Sequence, residues 1–101
     1  MEVVWTEESK KSLNEIYKTI FEKSPQNALM VFNELILLGD SLKNTTLEYS
    51  KDLIINDEAV RVVSKWSYKV IYKKTVNTIF ILDLFDSRQD LDKLFVFKKR
   101  S

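Results

Sequence analysis

Three consecutive runs decide the fold of this chain: Val60-Arg61-Val62-Val63-Ser64-Lys65, Ser67-Tyr68-Lys69-Val70-Ile71-Tyr72-Lys73-Lys74 and Thr78-Ile79-Phe80-Ile81-Leu82-Asp83-Leu84-Phe85-Asp86. All three are rich in β-branched and aromatic residues, which favours strands. The breaks between them are too short for a crossover helix, so neighbouring strands must pair antiparallel. The last run is apolar nearly throughout and ends in the charged cluster Asp86-Ser87-Arg88-Gln89-Asp90. This junction is where we first look for a functional site.

Two amphipathic helices are predicted before the strands. Thr6 suits an N-cap, with Glu7 and Glu8 at the positive helix start. Spacings of three and four then relate a set of apolar residues: Leu13, Ile16, Tyr17, Ile20 and Phe21. We expect this helix to stop near Lys23.

The second helix is predicted to begin at Ser24-Pro25, because proline at the first helical position loses no hydrogen bond. It should end near Lys43-Asn44, and the short link makes the two helices an antiparallel hairpin. Gly39 interrupts the apolar face at a cost of about 1 kcal/mol against alanine. This glycine indicates that another backbone approaches closely there.

The remaining segments are less regular. Val3-Val4-Trp5 suits an edge strand, and residues 45–59 show no clear period. Within them, Leu53-Ile54-Ile55 is either a short strand or an apolar plug in a loop. Near the C-terminus, Leu91 and Leu94 suit a short helical turn, or residues 94–97 add a strand. The predicted fold is α+β: an N-terminal helical hairpin packed on a mainly antiparallel sheet of three to four strands, in a single domain of residues 1–101.

Composition excludes several classes of chemistry. The 101 residues are 45% hydrophobic, and 16 basic against 15 acidic residues give a formal charge of +1. Cysteine and histidine are both absent, which removes disulfides, a thiol nucleophile and the usual general base. No metal site and no cofactor are expected. Neither a signal peptide nor a membrane-spanning run is apparent, so we expect a cytoplasmic protein with no membrane contact.

Several short motifs follow one another in a fixed order. They are Leu13-Asn14-Glu15-Ile16-Tyr17, Ser24-Pro25 with Ala28, Arg61, Tyr68-Lys69-Val70-Ile71-Tyr72, and residues 79–86 followed by Ser87-Arg88-Gln89. Each motif alone is weak, but their order and spacing together are fairly specific.

This series, covering residues 4–94, resembles the RelE/ParE superfamily of bacterial toxin–antitoxin toxins, which includes plasmid stabilisation proteins. The first motif is similar to the LxxIxxY/F pattern of the family's first helix, and Arg61 resembles the arginine that opens its central strands. The tyrosine-flanked strand is similar to the family's YRxxY strand, with Lys69 in place of arginine. Arg88 lies where an RQ or RR pair follows the last strand.

The resemblance implies one of two activities. RelE-like members cleave mRNA in the ribosomal A site with arginines, lysines and often a C-terminal tyrosine, whereas ParE-like members inhibit DNA gyrase without a complete catalytic set. No tyrosine follows Tyr72 here, and the position where one is expected is near Leu94. This absence favours the ParE-like, non-enzymatic branch, with the RelE-like mRNA endonuclease and a degenerate non-toxic binding module as alternatives.

Candidate site residues follow from the same resemblance. Arg61, Lys69 and Arg88 are candidates for catalysis, while Arg88 and the tail Lys98-Lys99-Arg100 are candidates for target binding. The structural alternatives are that Arg88 pairs with Asp86 or Asp90, that Arg61 and Lys69 lie on a solvated sheet face, and that the tail is only a solvated end. The tyrosines of the central strand more often serve packing than base stacking.

The resemblance also implies a protein partner. A cognate antitoxin is expected to neutralise the chain by folding on it, and the target is DNA gyrase, or the ribosome and mRNA in the alternative. Contact with DNA is expected only through the antitoxin.

Overall fold

The computed structural model describes residues 2–44 and 60–88. Within these ranges the elements are β1 (Glu2–Trp5), α1 (Glu7–Phe21), α2 (Pro25–Ser41) with a 3-10 turn at Leu42–Asn44, β2 (Val60–Lys65), β3 (Tyr68–Lys74) and β4 (Thr78–Asp86). The predicted α+β architecture, a helical hairpin packed on a sheet, is confirmed. The predictions made for 45–59 and for the segment after Gln89 lie outside the described residues. Neither helix in the described ranges is long and apolar enough to cross a membrane.

The sheet is mixed, with strand order β1-β4-β3-β2. The three central runs pair antiparallel as predicted. The predicted edge strand is present at Glu2–Trp5, and it pairs parallel with β4. Parallel pairing is possible there because the two helices and the following strands supply the long connection that it requires.

β4 is buried on one face along most of its length and on both faces from Asp83 to Asp86, which explains its nearly continuous apolar sequence. A register shift at Ile71/Tyr72 places one extra residue in β4, so that Ile81 and Leu84 both reach the helix-side core. Phe85 belongs to a second buried cluster, with Val60 and Ile71, on the opposite face.

Both helix starts are capped by the predicted residues. The Thr6 Oγ1 atom accepts from the Ser9 N–H at 3.2 Å and donates to the Ile81 carbonyl at 2.7 Å, which fixes the start of α1 on β4. The Ser24 Oγ atom accepts from the Asn27 N–H at 3.3 Å, with Pro25 at the first turn. The N-terminal caps are therefore local features that sequence alone can locate.

Gly39 was predicted to allow another backbone to approach closely, and this prediction was wrong. The group that approaches Gly39 is a side chain. A Cβ added at Gly39 would lie 2.4 Å from the Cζ2 atom of Trp5. The Trp5 indole lies flush against this position and donates from Nε1 to Asp40 Oδ1 at 3.0 Å. The absence of a side chain at Gly39 thus allows the Trp5 ring of β1 to pack against the end of α2.

Candidate functional site

The carboxyl end of β4 carries an ion pair between a buried acid and an exposed base. Asp86 is the last residue of β4, and Arg88 follows it after one residue. Arg88 donates from Nε to Asp86 Oδ1 at 3.3 Å and from Nη2 to Oδ2 at 3.2 Å, while its backbone N–H donates to Oδ1 at 3.0 Å. Three hydrogen bonds from one residue fix the guanidinium at the sheet end. This is the structural role foreseen for Arg88, with Asp86 as partner; Asp90 lies outside the described residues.

The charge state of this pair follows from its surroundings. Burial alone would raise the pKa of Asp86, but hydrogen bonds from Arg88 and from Ser67 outweigh burial and leave the pKa below its ordinary value. The same contacts raise the pKa of Arg88. Both groups are therefore charged at neutral pH.

Tyr68 lies beside the pair because it is register partner to Asp86 in the β3–β4 ladder. Burial raises the pKa of Tyr68, the Asp86 charge raises it further, and Arg88 partly opposes the shift. The phenol stays neutral at physiological pH and is poorly suited to accept a proton. Tyr72, on the same face of β3, is also buried, so both tyrosines pack in the core as expected.

The β2–β3 hairpin closes over the same sheet end. Its two-residue turn is Trp66-Ser67, and Ser87 donates to the Ser67 carbonyl from its backbone N–H at 2.9 Å and from Oγ at 2.8 Å. These bonds tie the hairpin turn to the residue that precedes Arg88. The turn and the ion pair therefore lie at the same end of the sheet, which we call the sheet-end surface and define by Lys65, Trp66, Asp86 and Arg88.

Trp66 is the residue of this surface that the sequence motifs did not single out. It has a positive φ of 54°, a left-handed conformation that favours glycine or asparagine, and the residue is 58% exposed. The Lys65 ammonium lies 5.0 Å from the ring centroid. The signal that could have found it is a large aromatic residue in a two-residue break between strands, where turn residues are expected.

A cleft of about 480 Å³ opens beside the sheet-end surface. The sheet contributes its floor through Tyr68, Leu84 and Asp86, while α1 and the start of α2 form its wall. Glu15, Lys23 and Arg88 add charges of both signs to its lining. The cleft is therefore amphipathic and is not a purely cationic phosphate site.

The three candidate catalytic residues do not meet at one place. Arg61 is register partner to Tyr72, whereas Tyr68 is register partner to Asp86 at the Arg88 end of the sheet. Tyr68 and Tyr72 are four residues apart on β3, so Arg61 lies about 13 Å along the sheet from that end. Its Nη1 atom donates to the Val60 carbonyl at 3.0 Å. Lys69 neighbours Tyr68 but points to the opposite sheet face, where Nζ lies 3.5 Å from Ser64 Oγ. Lys98, Lys99 and Arg100 lie outside the described residues.

Comparison with known proteins identifies a solved structure with a similar fold. No family model matches the sequence, and no curated protein matches it. The fold is nevertheless similar to that of a solved structure. A chain of the chromosomal ParDE toxin–antitoxin system from P. aeruginosa matches with a TM-score of 0.69 and 18% identity, over 85% of this chain and 95% of that chain. The ParE-like fold expected from the motif series is thus confirmed.

Proposed function

We propose that this chain is the toxin component of a type II toxin–antitoxin system and that it inhibits DNA gyrase by binding. The fold shared with a ParDE chain and the series of RelE/ParE-like motifs support the toxin assignment. The arrangement of its cationic residues supports binding over RNA cleavage.

The separation of Arg61, Lys69 and Arg88 is the observation that carries the mechanism. Phosphodiester cleavage without histidine or cysteine requires several arginines, lysines and a tyrosine around one phosphate. Here Arg61 lies toward the other end of the sheet, Lys69 is on its other face, and Arg88 is bonded to Asp86. One phosphate cannot contact all three in this arrangement.

The tyrosines of β3 support the same conclusion. Tyr68 is buried and its pKa is raised, so it does not supply a phenolate at neutral pH. Tyr72 is buried in the helix-side core. Tyr68 lines the cleft only as a neutral phenol, and Tyr72 is withdrawn from solvent.

A binding mechanism requires only an exposed surface with side chains that can serve as binding hot spots. Tryptophan and arginine are the residues most enriched at binding hot spots, and the sheet-end surface presents both as Trp66 and Arg88. The ion pair with Asp86 and the hairpin turn hold these side chains in place before binding, which lowers the entropy cost of association. The basic tail of Lys98, Lys99 and Arg100 extends this target-binding surface in our proposal.

The proposed antitoxin would bind a part of the sheet other than the sheet-end surface. In the described ranges β2 is an outer strand of the sheet, and an extended segment can add to such a strand through backbone hydrogen bonds. An antitoxin that folds on binding gives up chain entropy for a large interface. Contact with DNA would then pass through the antitoxin, in the cytoplasm where gyrase acts.

Inducible expression in bacteria tests the toxin assignment. Wild-type chain should reduce colony counts, and coexpression of a short neighbouring reading frame with an N-terminal DNA-binding domain should restore them. Arg88→Ala and Trp66→Ala should be folded but less toxic, while Val76→Ala, an exposed substitution in the β3–β4 turn, should be as toxic as wild type. Full growth under wild-type expression would instead identify a non-toxic binding module of the same fold.

Cleavage of mRNA on programmed ribosomes separates the two toxin mechanisms. We expect intact mRNA with the wild-type chain. Cleavage that disappears in Arg88→Ala would replace gyrase inhibition with the RelE-like endonuclease activity.

A further inference from the structure

The side chain of Tyr68 lines the cleft, and its hydroxyl group has no hydrogen-bond partner in the described residues. The residue is only 9% exposed, so most of the phenol is withdrawn from water. In residues 2–44 and 60–88 no polar side-chain atom is both fully buried and unpaired, so the Tyr68 oxygen reaches solvent through the cleft. A neutral phenol carries one O–H donor. This donor is therefore available to a group that enters the cleft.

The Asp86 carboxylate, which is cross-strand neighbour to Tyr68, already has its hydrogen bonds. Three come from Arg88, through its backbone N–H, Nε and Nη2, and a fourth comes from the Ser67 side chain. A carboxylate offers about four lone-pair positions. Asp86 thus has no remaining capacity to accept a hydrogen bond from the phenol or from a ligand.

Arg88 keeps donors that the ion pair does not use. A guanidinium carries five N–H groups, and only Nε and Nη2 contact Asp86. The Arg88 side chain is 71% exposed and lines the same cleft as Tyr68. Its two Nη1 N–H groups can therefore bind a ligand while the ion pair stays intact. The sheet end then presents hydrogen-bond donors from two residues, a phenol and a guanidinium, which suits an oxygen acceptor.

The wall of the cleft on α1 adds an apolar surface and charges of both signs. Ile16 and Ile20, one turn apart, are half-buried and line the cleft. Lys23 lies just past the end of α1, and Glu15 precedes it by eight residues, about 12 Å along the helix. With Arg88 and Asp86, the lining carries two charges of each sign. A singly charged carboxylate suits such a lining better than a doubly charged phosphate does.

We propose that the cleft binds an acidic segment of a partner protein, whose carboxylate accepts hydrogen bonds from the Tyr68 hydroxyl and from Arg88 Nη1. An aliphatic residue next to the acid contacts Ile16 and Ile20. The cleft volume of about 480 Å³ lies within the range of about 300–1,000 Å³ that is usual for ligand pockets. Hydrogen bonds to a charged acceptor are stronger than neutral ones, so the unpaired phenol gains a favourable partner. This inference goes beyond the proposed toxin function and does not depend on it.

NMR titration with the capped dipeptide N-acetyl-leucyl-glutamyl-amide tests the proposal. Addition of up to about 10 mM peptide should shift the backbone amides of Ile20, Asn27 and Leu84, with a Kd in the millimolar range. The glutamine analogue, which lacks only the charge, should bind about tenfold more weakly. Acetate, which lacks the aliphatic part, should shift the same amides only weakly at equal concentration.

Tyr68→Phe separates binding from stability, because it removes only the hydroxyl group. It should bind the glutamate peptide about tenfold more weakly, yet unfold at the same or a higher temperature than wild type, since no hydrogen bond of the described residues is lost. Lys23→Gln should weaken binding about threefold, as expected of an exposed charge. The matched control is Lys18→Gln, which removes an exposed charge from α1 outside the cleft and should bind as wild type does.

Absence of binding to the wild-type protein over the whole titration overturns the proposal. So does equal binding of the glutamate and glutamine peptides, or acetate binding as tight as that of the peptide. Tyr68→Phe that binds as wild type does shows that the hydroxyl is not part of a site. Tyr68→Phe that unfolds at a clearly lower temperature shows that the hydroxyl serves the fold, and this result also overturns the proposal.

Discussion

Arg88 turns back onto Asp86, two residues earlier in the chain, and its Nε and Nη2 atoms donate to the two carboxylate oxygens at 3.3 and 3.2 Å. The acid is buried, whereas the base is exposed. An exposed ion pair contributes little stability, but a buried carboxylate without its donors is costly. The pair therefore stabilises the sheet end while it presents a positive charge to solvent.

Asp86 should make stability depend on acid pH. Its folded-state pKa lies below the ordinary carboxyl value, so its contribution is complete above the unfolded-state pKa near about 4 and is lost as the pH falls through the folded-state pKa. Asp86→Asn should lower the free energy of unfolding by about 2 kcal/mol at pH 7, with a difference from wild type that shrinks below about pH 4. Urea unfolding from pH 3 to pH 7 measures both. A difference between wild type and Asp86→Asn that stays constant across this pH range would contradict the assignment.

Gly39→Ala should destabilise the protein although alanine is the better helix former. The new Cβ would overlap the Trp5 ring, which must shift and weaken its hydrogen bond to Asp40. Overpacking of this kind costs about 1–3 kcal/mol, against a propensity gain of about 1 kcal/mol. A double-mutant cycle with Trp5→Leu gives the measurement, because Gly39→Ala should be harmless or stabilising once the ring is removed. Equal effects of Gly39→Ala in both backgrounds would show that Trp5 is not the cause.

Thr6→Ala should cost more than Ser24→Ala. Thr6 both caps α1 and donates to the Ile81 carbonyl of β4, whereas Ser24 only caps α2. We expect losses of about 2 and about 1 kcal/mol respectively in the free energy of unfolding. Thr6→Ser is the matched control, because it keeps the hydroxyl and should recover most of the loss. If Thr6→Ser is as unstable as Thr6→Ala, the methyl group and not the two hydrogen bonds carries the effect.

At position 66 the glycine variant should be more stable than the alanine variant, which is the reverse of the usual order of stability. Its positive φ is strained for any residue with a Cβ, so Trp66→Gly should be more stable than Trp66→Ala by about 1 kcal/mol. In the interior of α1, Lys18→Gly should be less stable than Lys18→Ala by about the same amount. Chemical denaturation of the four variants compares the two positions. Alanine more stable than glycine at position 66 would mean that the turn carries no such strain.

Local features of this fold can be predicted from sequence because they depend on neighbours in the chain. The hydroxyl caps at Thr6 and Ser24 and the antiparallel order of β2, β3 and β4 follow from spacing and short breaks. The parallel pairing of β1 with β4 joins residues more than seventy positions apart, and no local pattern encodes its direction.

The features that could not be predicted from the sequence depend on long-range contacts. Gly39 indicated a close approach, but only the folded chain shows that the Trp5 ring fills the space. The distance between Arg61 and Arg88 depends on strand register, and the placement of the Trp66 turn at the Arg88 end of the sheet depends on hydrogen bonds between Ser67 and Ser87. Residue types suggested the candidates, whereas register decided which of them share a surface.

Supercoiling of relaxed plasmid by purified gyrase, titrated with this protein, is the decisive test of gyrase inhibition. Wild type should inhibit supercoiling, and Arg88→Ala and Trp66→Ala should each require at least tenfold more protein for the same inhibition, a loss of about 1.4 kcal/mol in binding. Arg61→Ala changes a residue that lies about 13 Å along the sheet from the strand end that carries Arg88, and this variant should inhibit as wild type does. Supercoiling that proceeds unchanged at saturating wild-type protein, with all variants folded, would show that this protein does not inhibit gyrase.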